Sequence, residues 1–145
     1  MRLRPSQQSE LALFRQMEQD EATVNFVMPY SQAEHLQTFS QPDILYLSIV
    51  EGNECIGFII LALDSDGVSV EFRRIVVSTK GRGYGQKAIA LMEDYCKTVL
   101  GRSRIWLDVF DRNLRGIYIY EKFGYRYFKN EEKDSGTLLF YEKSF

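Results

Sequence analysis

Residues that build metal centres and disulfide bonds are scarce in this sequence. It has two cysteines, Cys55 and Cys96, and one histidine, His35, among 145 residues. The cysteines lack the close spacing of a zinc or redox motif. His35 lies in a polar stretch without ligand partners nearby. We therefore expect neither a metal site nor a histidine-based catalytic triad, and the two isolated cysteines favour a reducing, cytoplasmic location.

Long apolar runs are also missing. No stretch approaches the ~20 consecutive apolar residues that span a bilayer. The N-terminal segment MRLRPSQQSE contains no apolar core of a secretory signal. We therefore expect neither a membrane partner nor secretion. The length of 145 residues and the apolar fraction of 45% predict a single domain, residues 1–145, with its own hydrophobic core.

The small net charge of −2 conceals an uneven distribution along the chain. Residues 1–72 carry 3 Lys or Arg against 11 Asp or Glu, whereas residues 73–133 carry 14 against 7. This pattern suits an anionic ligand on the second part and a cationic partner on the first. The chain has no single basic run and is acidic as a whole, so nucleic acid is not expected as a partner.

Hydrophobic periodicity and turn residues predict the element order β-α-α-β-β-β-α-β-α-β-β. Strands are expected over residues 2–4, 43–51, 54–63, 68–78, 104–110, 125–129 and 137–142. Helices are expected over residues 6–18 with Ser6 as N-cap, over 31–40 with a Ser31–Glu34 capping box, over 86–100, and from the N-cap Asn113 to Gly124. Strands 68–78 and 104–110, joined by a helix, should be parallel. The predicted fold class is α/β (α+β), a mixed, mostly antiparallel sheet with helices on both faces.

A glycine-rich turn connects strand 68–78 to the longest helix. Its sequence, TKGRGYG over residues 79–85, alternates three glycines with larger residues. Glycine lets the backbone approach a ligand closely, and the free N–H groups and dipole of a helix N-terminus attract anions. The cations Lys80, Arg82 and Lys87 add charge at the same place. The turn therefore predicts a phosphate-binding cradle.

A dinucleotide-binding site is the first alternative. Gly83, Gly85 and Ala88 follow a strand in the pattern GxGxxA, and Asp108 ends the next strand. That unit normally opens a doubly wound sheet, however, and is followed by further βα units. Here an antiparallel meander precedes it and fewer than 40 residues follow Asp108. The context therefore favours a different anion-binding fold.

Two blocks of the sequence occur together and carry a resemblance to a known family. The first is IVVSTKGRGYG, and the second is NLRGIYIYEKFGY, which begins at Asn113. In this order and at this separation they resemble the GNAT superfamily of acetyl-CoA-dependent N-acetyltransferases. The resemblance covers residues 44–145. Lys80 replaces the usual Arg or Gln, and Gly116 replaces a small Ala.

The resemblance implies a GNAT-like sheet with a splayed parallel strand pair and acetyl-CoA as co-substrate, with no metal. Backbone groups of the glycine-rich turn would bind the pyrophosphate, those of the preceding strand would pair with the pantetheine arm, and the start of the last helix would also contact the coenzyme. The residues implied are Ile75, Val76, Val77, Lys80, Gly81, Arg82, Gly83, Tyr84, Gly85, Gln86 and Asn113.

Catalysis in such a fold requires two proton transfers. Tyr120 matches the family tyrosine that protonates the leaving thiolate, and Glu71 resembles a general-base glutamate. Strand alternation predicts Glu71, Arg73, Ile75 and Val77 on one face. The amine would attack the thioester directly. The sequence does not identify this amine, which is a small amine or a protein amine, and a homodimer stays open. A noncatalytic acyl-CoA or nucleotide sensor remains the alternative, although such a module would need neither Tyr120 nor Glu71.

Overall fold

A seven-stranded sheet lies at the centre of the computed structural model, which describes residues 1–19, 29–79 and 81–145. The strand order within these residues is β1-β2-β3-β4-β5-β7-β6, with all neighbours antiparallel except β4 and β5. The strands are β1 (Arg2–Pro5), β2 (Ile44–Glu51), β3 (Glu54–Leu63), β4 (Ser69–Val77), β5 (Arg104–Phe110), β6 (Arg126–Lys133) and β7 (Gly136–Ser144).

Helices cover both faces of this sheet, and each face has its own apolar core. The described helices are α1 (Leu11–Glu18), α2 (Gln32–Phe39), α3 (Tyr84–Thr98) and α4 (Leu114–Lys122). One core cluster packs α3 and α4 against the sheet, with Met92 and Leu107 among its buried members. The other packs α1 and α2 on the opposite face, around Phe14 and Phe58. The predicted mixed sheet with helices on both faces is confirmed.

The first helix begins later than the sequence indicates. Ser6 is not its N-cap, because the Ser6 N–H donates to the Tyr46 carbonyl and extends the pairing of β1 with β2. A short 3₁₀ helix (Gln8–Glu10) follows, and α1 begins only at Leu11. The Glu10 carboxylate accepts from the Gln7 N–H at 2.9 Å and thus takes the capping role. By contrast, the predicted Ser31–Glu34 capping box of α2 is present.

The final hairpin is longer than predicted. Strands β6 and β7 reach Lys133 and Ser144, whereas the sequence suggests ends near Lys129 and Glu142. Almost every residue of β6 is exposed, because it is the last strand of the sheet. A strand with solvent on both faces has no apolar alternation, so its polar second half carries no strand pattern.

Strands β4 and β5 pair only at one end. Three residue pairs join them, and the last pair is Glu71 with Trp106. Beyond this pair the strands separate, so the β5-facing edge of residues 72–77 has no strand partner among the described residues. The predicted splayed parallel pair is therefore present, and the gap between its strands is called the split below.

A bulge in β4 changes which side chains share a face. Ile60 pairs with Arg74 and Leu61 pairs with Phe72, so Arg73 is an extra residue in β4. As a result Phe72 and Ile75 pack on the α3/α4 face although they are three residues apart. The prediction that Glu71 shares a face with Ile75 and Val77 is wrong, because simple alternation does not allow for the extra residue.

Candidate active site

A cavity of about 370 Å³ opens beside the split on the α3/α4 face. It is bounded by the end of β4, the glycine-rich turn and the facing sides of α3 and α4. Its lining residues are Ile75, Val77, Thr79, Gly81, Gly83, Tyr84, Gly85, Gln86, Ile89, Arg115, Gly116, Ile119 and Tyr120. The cavity therefore brings together eight residues that the sequence predicts for coenzyme binding and catalysis.

The glycine-rich turn has the backbone conformation that a phosphate cradle requires. Gly81 and Gly83 have φ angles of 78° and 70°, in the left-handed region that side chains disfavour. Gly83 is also the N-cap of α3, so the free N–H groups of the first helical turn point into the open space of the turn. A Cβ atom built on Gly81, Gly83 or Gly85 would meet nothing within 4 Å. This open space is where an anion would lie.

Three of the described residues implied for coenzyme binding lie outside the lining. The side chain of Val76 packs into the α1/α2 core, although its backbone belongs to the open edge of β4. Arg82 is exposed and Asn113 does not contact the cavity. Lys80 lies outside the described residues. The coenzyme contacts of all the implied residues, inside and outside the lining, stay predictions.

At the start of α4, glycine leaves room for the side chain that caps the helix. Asn113 caps this helix, and its Oδ1 accepts from the Gly116 N–H at 2.9 Å. A Cβ on Gly116 would lie 2.7 Å from Asn113 Nδ2, so a larger residue would displace the cap. Gly116 thus lets α4 begin beside the cavity, where Arg115 joins the lining. Arg115 is a cation that the sequence reasoning missed, and only its place beside the Asn113 cap could have indicated it.

Tyr120 lies where the cavity meets the split. Its ring packs edge-on against Phe72, the first β4 residue beyond the last β4–β5 pair, at 6.1 Å. Burial and the carboxylate of Asp108 raise the pKa of the Tyr120 hydroxyl to about 12. The hydroxyl is therefore protonated at neutral pH and able to donate a proton. Asn113 and Tyr120 are the two residues of the second sequence block that the resemblance implies for the site. Of these two, Tyr120 lines the cavity and Asn113 does not.

The other face of the split carries carboxylates and aromatic rings. Alternation along β5 places Trp106 and Asp108 opposite the buried Leu107, and Glu71 pairs with Trp106. Phe140 lies opposite Asp108 on β7 and stacks on Trp106 with 6.0 Å between ring centroids. Acidic and aromatic groups together favour a cationic ligand. This face is called the acceptor face below.

A buried polar network lies beneath the same face, between α1, α2 and β4. Glu18 and His35 are fully buried and hydrogen-bonded to each other. His35 Nδ1 also lies 2.7 Å from the Tyr46 hydroxyl, and Arg74 donates to Glu18. The Arg74 guanidinium stacks over the Tyr30 ring at 4.0 Å. No local pattern in the sequence indicates this network, because its members come from distant positions.

Two absences hold for the residues that the structure describes. No group of three or more His, Cys, Asp or Glu side chains in them has the arrangement of a metal site. In the same residues, no helix is long and apolar enough to cross a membrane.

The split strands, the glycine cradle and the cavity tyrosine define an acyl-coenzyme-A-dependent transferase fold. The family model of the GNAT acetyltransferases matches residues 11–125. The chain therefore belongs to the GNAT acetyltransferase family, as the two sequence blocks indicate. A comparison with curated protein sequences gives no significant match.

Solved structures of amine acetyltransferases share the fold. The aminoglycoside acetyltransferase AAC(6')-Ib with coenzyme A and kanamycin has a TM-score of 0.83 at 17% identity, covering 99% of this chain and 94% of that chain. A variant of the spermidine N-acetyltransferase SpeG from Vibrio cholerae has a TM-score of 0.82 at 17% identity, covering 99% and 95%. AAC(6')-Ib with acetyl-CoA aligns with a TM-score of 0.83 at 16% identity, covering 99% and 92%.

Proposed function

We propose that this enzyme transfers the acetyl group of acetyl-CoA to a primary amine by direct attack of the amine on the thioester. The observation that carries the proposal is the cavity at the split, which joins a phosphate cradle, an unpaired strand edge and a tyrosine hydroxyl. These three parts match the pyrophosphate, pantetheine and thioester of one molecule, in that order along the cavity.

The residues present fit acetyl-CoA. The N–H groups of residues 81–86 would bind the pyrophosphate, and Arg115 would add a positive charge at the mouth of the cavity. The open β4 edge at Ile75, Val76 and Val77 would pair with the amide groups of pantetheine as a strand would. One of its N–H groups would donate to the thioester oxygen, which gains negative charge during attack.

Direct attack is supported by the position and the raised pKa of the two cysteine thiols, since a cysteine is the usual alternative nucleophile. Neither Cys55 nor Cys96 lines the cavity. Burial raises the pKa of both thiols, that of Cys96 to about 12. A thiol with a raised pKa carries little thiolate at neutral pH and is a poor nucleophile. The amine nitrogen itself therefore forms the new bond, without an acetyl-enzyme intermediate.

Two side chains would handle the protons. Tyr120 would donate its hydroxyl proton to the departing thiolate, since it lies between the cavity and the split. On the acceptor face, where Glu71 stands at the last β4–β5 pair, a carboxylate would receive the ammonium proton of the incoming amine. The similar solved structures are an aminoglycoside acetyltransferase and a spermidine N-acetyltransferase. This similarity supports an acceptor amine that carries several positive charges.

The test is release of free thiol from acetyl-CoA in the presence of single amines. The panel contains spermidine, kanamycin, free lysine, a peptide with a free N-terminus, and a small alkylamine. We expect thiol release with at least one amine, and mass spectrometry should find the acetyl group on that amine. Initial rates should give intersecting double-reciprocal lines, as a ternary complex requires, whereas parallel lines would point to an acetyl-enzyme.

The noncatalytic sensor predicts a different result in the same assay. The protein would bind acetyl-CoA in calorimetry and release no thiol with any amine of the panel. That outcome would overturn the proposed function and leave the coenzyme site intact. The cysteines also favour the cytoplasm as the place of the reaction, and sizing chromatography would test for a homodimer.

A further inference from the structure

Asp108 is a second carboxylate on the acceptor face, and the proposed function leaves it unused. The β4–β5 ladder ends at the pair of Glu71 and Trp106. Asp108 follows Trp106 by two residues and lies on the same face of β5, so it stands where the two strands begin to separate. Tyr120 reaches the same place from the opposite face through its contact with Phe72.

The two carboxylates have different partners. Glu71 Oε1 accepts from Arg73 at 2.9 Å from Nη2 and 3.3 Å from Nε. The bulge supplies this arginine, because the extra residue in β4 is Arg73. Asp108, in contrast, has neither a hydrogen bond nor an ion pair from its side chain to any residue that the structure describes. No donor among the described residues therefore competes with an incoming ammonium group for its lone pairs.

We propose that Asp108 is a further catalytic residue, the group that takes the proton from the acceptor amine, and that the Glu71–Arg73 pair positions this amine. The proposal rests on the proposed amine acetylation and assigns its base. The guanidinium of Arg73 binds Glu71 through Oε1 and holds that carboxylate beside β4, which suits a group that positions a ligand, whereas no described cation binds Asp108. Asp108 also lies two residues beyond the pair, closer to the open part of the split.

The charges around Asp108 support this division. The groups that face it are Glu71 and Arg73 on β4, Glu131 and Lys133 on β6, and Tyr120 on α4. The pKa of Asp108 is raised, although its side chain is exposed. The larger cause is partial desolvation by the surrounding protein, and the second is the negative charge of Glu71. A raised pKa makes a carboxylate a stronger base, and two carboxylates with different environments commonly divide two roles.

The resulting step balances in atoms and charge. Asp108 takes one proton from the ammonium group, and the neutral nitrogen attacks the thioester carbon. The N–C bond forms, the C–S bond breaks, and the thiolate takes the hydroxyl proton of Tyr120. The remaining extra proton on the product nitrogen returns to the Tyr120 oxygen. Asp108 releases its proton to water, so the net reaction liberates one proton for each acetyl group transferred.

The experiment compares three isosteric variants with saturating acetyl-CoA and the amine that the panel identifies. Asp108→Asn should lower kcat by about 10²–10⁴-fold at pH 7, and the loss should shrink toward pH 10, where the amine loses its proton unaided. Glu71→Gln should mainly raise KM, with kcat lowered by about tenfold or less. Asp111→Asn removes a carboxylate from the exposed turn after β5 and serves as the matched control with unchanged kcat.

A second measurement needs no acceptor amine. Carbon-13 NMR follows the side-chain carboxyl carbon of Asp108, assigned by its loss in Asp108→Asn. We expect it to titrate above the ordinary aspartate value near 3.9 and to move down in Glu71→Gln, because the Glu71 charge contributes to the raised pKa.

Two outcomes would overturn the Asp108 assignment. One is a wild-type kcat in Asp108→Asn while Glu71→Gln carries the large, pH-dependent loss, which would make Glu71 the base. The other is titration of Asp108 in the ordinary aspartate range. Failure of the proposed function looks different, because the wild type would then acetylate no amine while the Asp108 carboxyl still titrates high.

Discussion

The two faces of the sheet offer different chemical groups to a ligand. On the α3/α4 face the cavity consists of backbone groups, glycines and a few apolar side chains. On the acceptor face the chemistry lies in charged and aromatic side chains such as Glu71, Asp108 and Trp106. A site built from backbone groups needs a local run of glycines, so it is visible as a motif in the sequence. A site built from side chains gathers residues from several strands and helices, so no single motif in the sequence indicates it. The proposed coenzyme side is therefore indicated by sequence motifs, whereas the proposed acceptor side depends on the arrangement of several strands.

The largest expected effect concerns the buried network under the acceptor face. Glu18→Gln leaves the Arg74 guanidinium without its anionic partner in a buried place, which should cost about 3–5 kcal/mol of unfolding free energy. Urea unfolding followed by circular dichroism measures the change. The control is Glu10→Gln, which removes the partner of Arg4 in a more exposed pair and should cost at most about 1 kcal/mol. Equal costs would show that burial of the network does not matter.

The second largest effect is expected at Tyr120, where the cavity meets the split. Tyr120→Phe keeps the ring and its packing on Phe72, so stability and acetyl-CoA affinity should change little. Turnover should fall by roughly 10²-fold or more, since the proposed proton donor is lost. Tyr118→Phe, in the same helix but exposed, is the matched control. If Tyr120→Phe keeps full turnover with chemistry rate-limiting, water or another group protonates the thiolate.

The smallest effect tests the coenzyme side. Gly83→Val places a branched side chain at a φ of 70° in the cradle and should weaken acetyl-CoA binding on the order of tenfold while the fold is kept. Gly67→Val is the control, because Gly67 has a φ of 72° in the turn before β4 and an equally open surrounding. Calorimetry should find weaker binding only in the first variant. Similar affinities in both would contradict the cradle.

Local patterns in the sequence predict most of the fold. The bounds of β5, the capping box of α2 and the Asn113 cap of α4 agree with the structure because each depends on neighbours within a few residues. The parallel pairing of β4 and β5 also follows, since a helix connects them. The start of α1 was missed because Ser6 pairs with a residue of β2, far away in the sequence.

The side chains of the acceptor face could not be placed from local patterns in the sequence. Alternation places Glu71 with Ile75 and Val77, but the bulge at Arg73 turns it to the other face. His35 looks like a surface residue in a polar stretch, yet it is fully buried against Glu18 and Tyr46. In both cases the deciding contact joins residues that are distant in the chain.

Short motifs and local periodicity are enough to indicate the family, the order of the elements, the glycine-rich turn and the candidate acid Tyr120. Which carboxylates face the split depends instead on the folded sheet. That choice depends on strand register, and one extra residue in β4 exchanges the faces of everything before it. Register is set by packing between strands, a property of the whole sheet that no local stretch of sequence contains.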